Sequence, residues 1–237
     1  MKRLRGGKGR QMELNANFDR RAAVHADQEP WIASPMKGVD RRMLDRVGGE
    51  VARATTIVRY APGSAFSAHT HTGGEEYLVL DGVFQDEHGD FPVGTYVRNP
   101  PTSSHTPSSA PGATIFVKLW QFDMEDRQQV TIDTNREPPR PVGGGVSEIP
   151  LFEDARERVR IELWEPGAEI SIAAHDGFEA LVIKGSFVEG GETFQANSWL
   201  RLPPGSPLKA VAGEAGARLW VKSGHLAEPQ TAPQIGD

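Results

Sequence analysis

Apolar and polar residues alternate in short runs along most of this chain, with no helical spacing where they do so. Residues 53–60 are rich in β-branched side chains and end at the turn Ala61, Pro62, Gly63. Residues 77–80 meet Asp81 and Gly82, and Val83 and Phe84 lead into a polar turn at 86–90, the pattern of antiparallel hairpins. Segment 113–120 puts Ile115, Val117 and Leu119 on one face and Thr114, Phe116, Lys118 and Trp120 on the other. The pattern weakens over 122–150, and the proline- and glycine-rich stretch 137–145 reads as a linker because it offers few ladder donors. Alternation then restarts at 158–164, with Val159, Ile161 and Leu163 expected to face inward, and closes at Glu165, Pro166, Gly167. The pattern predicts an all-β chain.

Those two closures belong to an internal repeat. Residues 76–84 match 179–187 without a gap, and 96–101 match 199–204 at the same offset, Arg98 answering Arg201. Lys118, Leu119 and Trp120 are then matched with Arg218, Leu219 and Trp220. The expected organisation is a basic, disordered tail at 1–11 with Met12 as the natural start, a first domain at 12–127, a linker at 128–150, a second domain at 151–227 and a tail at 228–237.

Composition narrows the function classes. The 26 glycines and 18 prolines lack any short repeat and suit turns between many strands. A formal charge of -6 gives no general attraction for nucleic acid or anionic membranes, so neither is an expected partner. Residues 1–10 carry five positive charges without a hydrophobic run, so no secretory signal is expected and a cytoplasmic location follows by default. With no cysteine in the chain, disulfides, thiolate metal sites and cysteine nucleophiles are excluded.

The chemistry-bearing constellation lies in the first repeat. On a strand, His69 and His71 share a face. The turn Thr72, Gly73, Gly74 can return Glu75 beside them, and His105 can reach them from a separate strand if a barrel closes. Three imidazoles and one carboxylate form a borderline donor set suited to zinc, iron, manganese, nickel or copper. The histidine pair alone says little. Its spacing from Gly63, Glu75, Gly82, Gly94, Pro100 and His105 makes coincidence a poor explanation.

With these residues the chain resembles the cupin superfamily, whose first motif is complete here from Gly63 through Gly82. The second motif keeps His105 in register but has Thr102 where the family has glycine and Ser109 where it has asparagine. The resemblance implies two tandem cupin barrels of the double-stranded β-helix or jelly-roll type, with one divalent transition metal per chain: zinc, or iron, manganese or nickel. The choice of Glu75 over Glu76 as ligand rests on its spacing to Gly82. A closer likeness, over roughly residues 28–122, is to the cupin domain of ChrR-type anti-sigma factors. It is carried by residues 73–84, the turn at 86–90 and residues 94–101. That family places a zinc-binding, sigma-factor-binding helical domain before its cupin. The absence of cysteine here argues against sigma-factor binding. A small-molecule ligand and a homodimer are the partners left open.

In the second repeat the ligand counterparts are expected at Ala173, His175, Glu179 and Leu208, so that repeat should be empty of metal. Trp164, Trp199 and Trp220 are expected in the core or an interface, and His25, His88 and His225 are expected to be solvated. Residues 40–46 mix charge signs and read as a solvated surface. Two functions fit: a metal-dependent sensor or small-ligand-binding module, and a metal-dependent enzyme, such as a dioxygenase, acting on a small oxygenated substrate. No separate acid or base is legible, so no catalytic residue is assigned.

Overall fold

The computed structural model describes residues 12–49, 51–173 and 175–231. The tail expected at 1–11 and the end of the tail at 228–237 lie outside them. Two antiparallel sheets of matching order dominate the fold. In the first, Met12–Leu14, Val39–Gly48, Ala52–Tyr60, Ala113–Leu119, Glu75–Asp86, Thr95–Asn99 and Val130–Asp133 are neighbours in that order. The second runs Arg140–Gly143, Val146–Glu153, Arg158–Trp164, Leu208–Ser223, Phe178–Glu189, Ser198–Leu202 and Ala22–His25. Each sheet folds into a barrel, and no helix of the described residues is long and apolar enough to cross a membrane.

The strand order corrects the expected boundaries. Val130–Asp133 closes the first sheet against Thr95–Asn99, while Arg140–Gly143 and Val146–Glu153 open the second, so 128–150 is largely strand and no linker. Arg140–Gly143 can hold prolines and glycines because it is an exposed edge strand. Ala22–His25 pairs with Ser198–Leu202 of the second sheet although in sequence it lies between Met12–Leu14 and Val39–Gly48 of the first. The two barrels therefore interlock, and a cut at residue 127 would leave strands on the wrong side.

Three apolar clusters fill the molecule. One occupies the first barrel, around Val58, Tyr77, Phe84 and Val117. Another occupies the second, around Trp164, Phe178, Phe187 and Leu208. The third lies between the barrels and contains Ile57, Leu78, Phe116, Ile161, Trp199 and Trp220. Val159, Ile161 and Leu163 therefore face the neighbouring barrel and not the interior of their own, which receives Trp164 from the opposite face of the strand. Phe116 and Lys118, on the face opposite Ile115, are likewise buried between the barrels.

Charged residues in this central layer are matched crosswise. Lys118 of the first barrel donates to Glu179 of the second at 2.7 Å, and Lys222 of the second donates to Glu76 of the first. Tyr96 donates to Glu76 and Trp199 to Glu179, each at 2.7 Å. Such pairs tolerate burial because each charge has both an opposite charge and further hydrogen bonds. Residues 40–46 belong to this layer in part, a correction to their reading as solvated surface: Leu44 and Asp45 are buried, and Asp45 accepts from Arg201 at 2.8 Å.

Candidate metal centre

His69 lies on the short strand His69–Thr70, which pairs with Ser104–His105 so that His69 and His105 stand directly opposite. His71 follows at the same parity, and the chain reverses through Gly73 and Gly74 into Glu75. The reversal needs its glycines: Gly74 has φ +77°, and a Cβ on Gly73 would sit 2.2 Å from the Trp120 ring. The ligand atoms of His69, His71 and His105 all lie within 4.8 Å of one another. Among the described residues no other three histidine or carboxylate side chains gather in this way. Glu75 Oε2 is 3.4 Å from His71 Nε2 and 3.8 Å from His105 Nε2. The structure thus brings together all four residues singled out in the sequence.

Their surroundings suit a cation. His105 Nδ1 is 3.1 Å from Asp86 Oδ2 and His69 Nδ1 is 3.3 Å from the Ser67 carbonyl, contacts that put the proton on Nδ1 and leave Nε2 free as a donor to metal. His71 Nε2 is buried without a hydrogen-bond partner, an orphaned polar atom that a metal would satisfy. Burial, with His69 adding to it, pushes the His71 pKa down to about 4, so the imidazole is neutral as ligation requires. Burial raises the Glu75 pKa, while His105, His69 and a 3.4 Å bond from Asn99 pull it back. Glu76 points the other way, into the central layer, so the geometry favours Glu75. Asp86 and Asn99 were not singled out in the sequence, since their contacts join residues about twenty positions apart.

The site opens on a cavity of about 310 Å³ lined by His69, His71, Glu75, Arg41, Tyr60 and apolar side chains such as Val58 and Leu119. The buried Tyr77 hydroxyl has no hydrogen-bond partner. Burial, with Glu75 next, raises its pKa. At Thr102, the β-branched residue in the family's glycine position, φ is +75°. This left-handed conformation is strained for threonine, yet it lets the Thr102 amide donate to the His71 carbonyl at 2.9 Å.

Register corrects the second repeat. Glu76 pairs with Lys118 and Glu179 with Lys222, which makes Glu179 the counterpart of Glu76 and Phe178 that of Glu75. Phe116 and Trp220 likewise face Leu78 and Leu181, so Lys118 answers Lys222 and not Arg218. Where His105 faces His69, Leu208 faces Ile172 and not Ala173, so three of four ligand positions are apolar (Ile172, Phe178 and Leu208), and Asn99 is replaced by Leu202. His175 remains, its Nδ1 accepting from the Gly177 amide at 3.1 Å. Two histidines expected to be solvated have buried or half-buried partners: His225 bonds Glu179 at 3.0 Å, and His25 bonds Ser198 and Glu192.

Residues 19–123 match the family described as the ChrR Cupin-like domain. Curated protein sequences gave no match. Among solved structures, a dioxygenase candidate from Nostoc punctiforme is similar at 15% identity and TM-score 0.68, over 94% of this chain and 87% of that one. The bacterial pirin YhhW from Escherichia coli, in complex with nickel(II), aligns at 11% identity and TM-score 0.60, over 86% and 98% of the two chains. Oxalate decarboxylase from Bacillus subtilis, with Mn(II) centres, aligns at 13% identity and TM-score 0.57, over 86% and 77%. At these identities the likeness is one of fold.

Proposed function

We propose that this chain, which carries the cupin fold twice and whose residues 19–123 match the ChrR Cupin-like domain, holds one divalent transition metal in its first barrel through His69, His71, Glu75 and His105 and uses it to bind a small oxygenated molecule. The observation that carries the reading is the convergence of three imidazoles and a carboxylate beside an open cavity, with His71 Nε2 buried and making no hydrogen bond. Nitrogen and oxygen donors without thiolate suit zinc, iron, manganese or nickel, and a bound metal would supply a Lewis-acidic centre for oxygen ligands. The activity is that of a ligand-binding or sensor module, in line with the match to a ChrR-type domain.

A metal-dependent enzyme is the second reading, favoured by one observation: the cavity gives a small molecule direct access to the histidine cluster. Cobalt(II)-substituted protein tests both readings. Small oxygen ligands should shift its visible absorption, and the shift should vanish in His69→Ala. A spectrum indifferent to every such ligand would indicate a closed structural site and sink both. Turnover of β-diketones or related substrates, lost in His69→Ala, would replace the first reading with the second.

A further inference from the structure

Arg41 sits on Val39–Gly48 directly opposite Val58 and two residues from Val39, both of which face the interior of the first barrel. Strand parity therefore aims its side chain inward, and it lines the same cavity as His69, His71 and Glu75. Neighbouring arginines are engaged: Arg42 and Arg59 lie over the Trp31 ring, paired with Asp27 and Asp40 respectively. Arg41 alone of the three forms no ion pair among the described residues, and its Nε, like that of Arg42, is shut away from solvent with no hydrogen-bond partner. The matching position of the second barrel holds Glu148, whose charge is answered by Arg140 at 2.8 Å and Arg158 at 2.6 Å. The unanswered guanidinium is thus particular to the barrel with the histidine cluster.

We infer that the first-barrel cavity takes a small organic carboxylate with an apolar body, and that Arg41 is the group that recognises its carboxylate. A guanidinium offers a planar fork matched to two carboxylate oxygens, and an unpaired one in a sheltered cavity is poised to gain most from them. Among the described residues Arg41 and Glu75 are the only fixed charges in the lining, and Glu75 is turned to the histidines. Val58, Phe66 and Leu119 on the walls provide for the apolar body. The inference deepens the proposed function, since it rests on this cavity being the ligand site.

Calorimetric titration of the whole protein with isovalerate and phenylacetate, each beside its neutral amide, tests it. At least one acid should bind more tightly than its amide, and Arg41→Gln should remove about tenfold of the acid's affinity while leaving the amide's unchanged. If Arg41→Gln does not fold, Arg41→Lys carries the test, because it keeps the charge but loses the fork and should bind the acid more weakly. No preference for either acid, or acid affinity indifferent to the variant that folds, would overturn the inference. Metal analysis of the same samples separates the two claims. Metal-free protein that still prefers acids through Arg41 removes only the metal reading, and metal-loaded protein without that preference removes only this inference.

Discussion

The two barrels share strand order and a central layer, yet they treat the same interior positions in opposite ways. Where the first places Glu75 and His105, the second places Phe178 and Leu208, both within its apolar core. Its remaining charges are closed on one another: Arg160 meets Glu162 at 2.6 Å, and Trp164 donates to that carboxylate at 2.7 Å. The first barrel keeps a neutral His71 with a bare nitrogen, an unbonded Tyr77 hydroxyl and an unanswered Arg41. Buried polar groups without partners are costly; His175 Nε2 of the second barrel is likewise unbonded, but only His71 Nε2 belongs to a cluster of potential ligands among the described residues.

The largest test sets Glu179 against Glu75. Burial would raise the Glu179 carboxyl, but Lys118 and His225 outweigh it and hold its pKa well below the usual range. Glu179→Ala leaves Lys118 buried without its counter-ion and should cost about 3–5 kcal/mol in urea unfolding. Glu75→Ala should cost the metal-free protein far less and abolish metal binding. Similar losses in the two variants would erase the distinction between the barrels.

Leu208 and His105 give the next contrast. Leu208→Ala opens a void in the second core and should lower stability by about 2–5 kcal/mol. His105→Ala should unfold later than Leu208→Ala when both are metal-free, since His105 packs among the polar groups Asp86 and Glu75 while Leu208 lies within an apolar core.

The central layer also sets a pH response. Burial pushes His225 down to about 4, against the pull of Glu179. The unfolded chain binds this proton below about pH 6.5 and the folded chain only near 4, so stability should fall by about 3 kcal/mol across that window. His225→Asn should flatten the slope. Burial would raise Glu157, but Lys222 and Arg98 outweigh it and hold it at about 2. Its contribution should persist above pH 4.5 and disappear only as pH falls toward 2.

Thr102 gives the smallest effect. Thr102→Gly relieves a left-handed φ and should stabilise the protein by about 1 kcal/mol without loss of metal, as judged by melting temperature and elemental analysis.

Much of the site was legible in sequence because its signals are local. Strand parity aligned His69 with His71, and the spacing to Gly82 distinguished Glu75 from Glu76. The all-β pattern and the repeat were legible for the same reason. Two kinds of information were not. The turn between His71 and Glu75 is one residue longer than that between His175 and Phe178, so carrying the His71–His175 spacing forward paired Glu75 with Glu179, when the match of 76–84 with 179–187 and the register both pair it with Phe178. Alternation also shows two faces without showing what covers each. Val159 and Ile161 face another barrel, and His225 and Asp45 find partners 46 and 156 residues away.

The central claim is that one barrel binds metal and the other does not. Elemental analysis of the purified protein, with His105→Ala alongside, tests it most directly. The account predicts one divalent transition metal per chain, lost in His105→Ala while circular dichroism keeps the β signature. Two metals per chain, none in a properly folded and metal-supplied protein, or full retention in His105→Ala would contradict it.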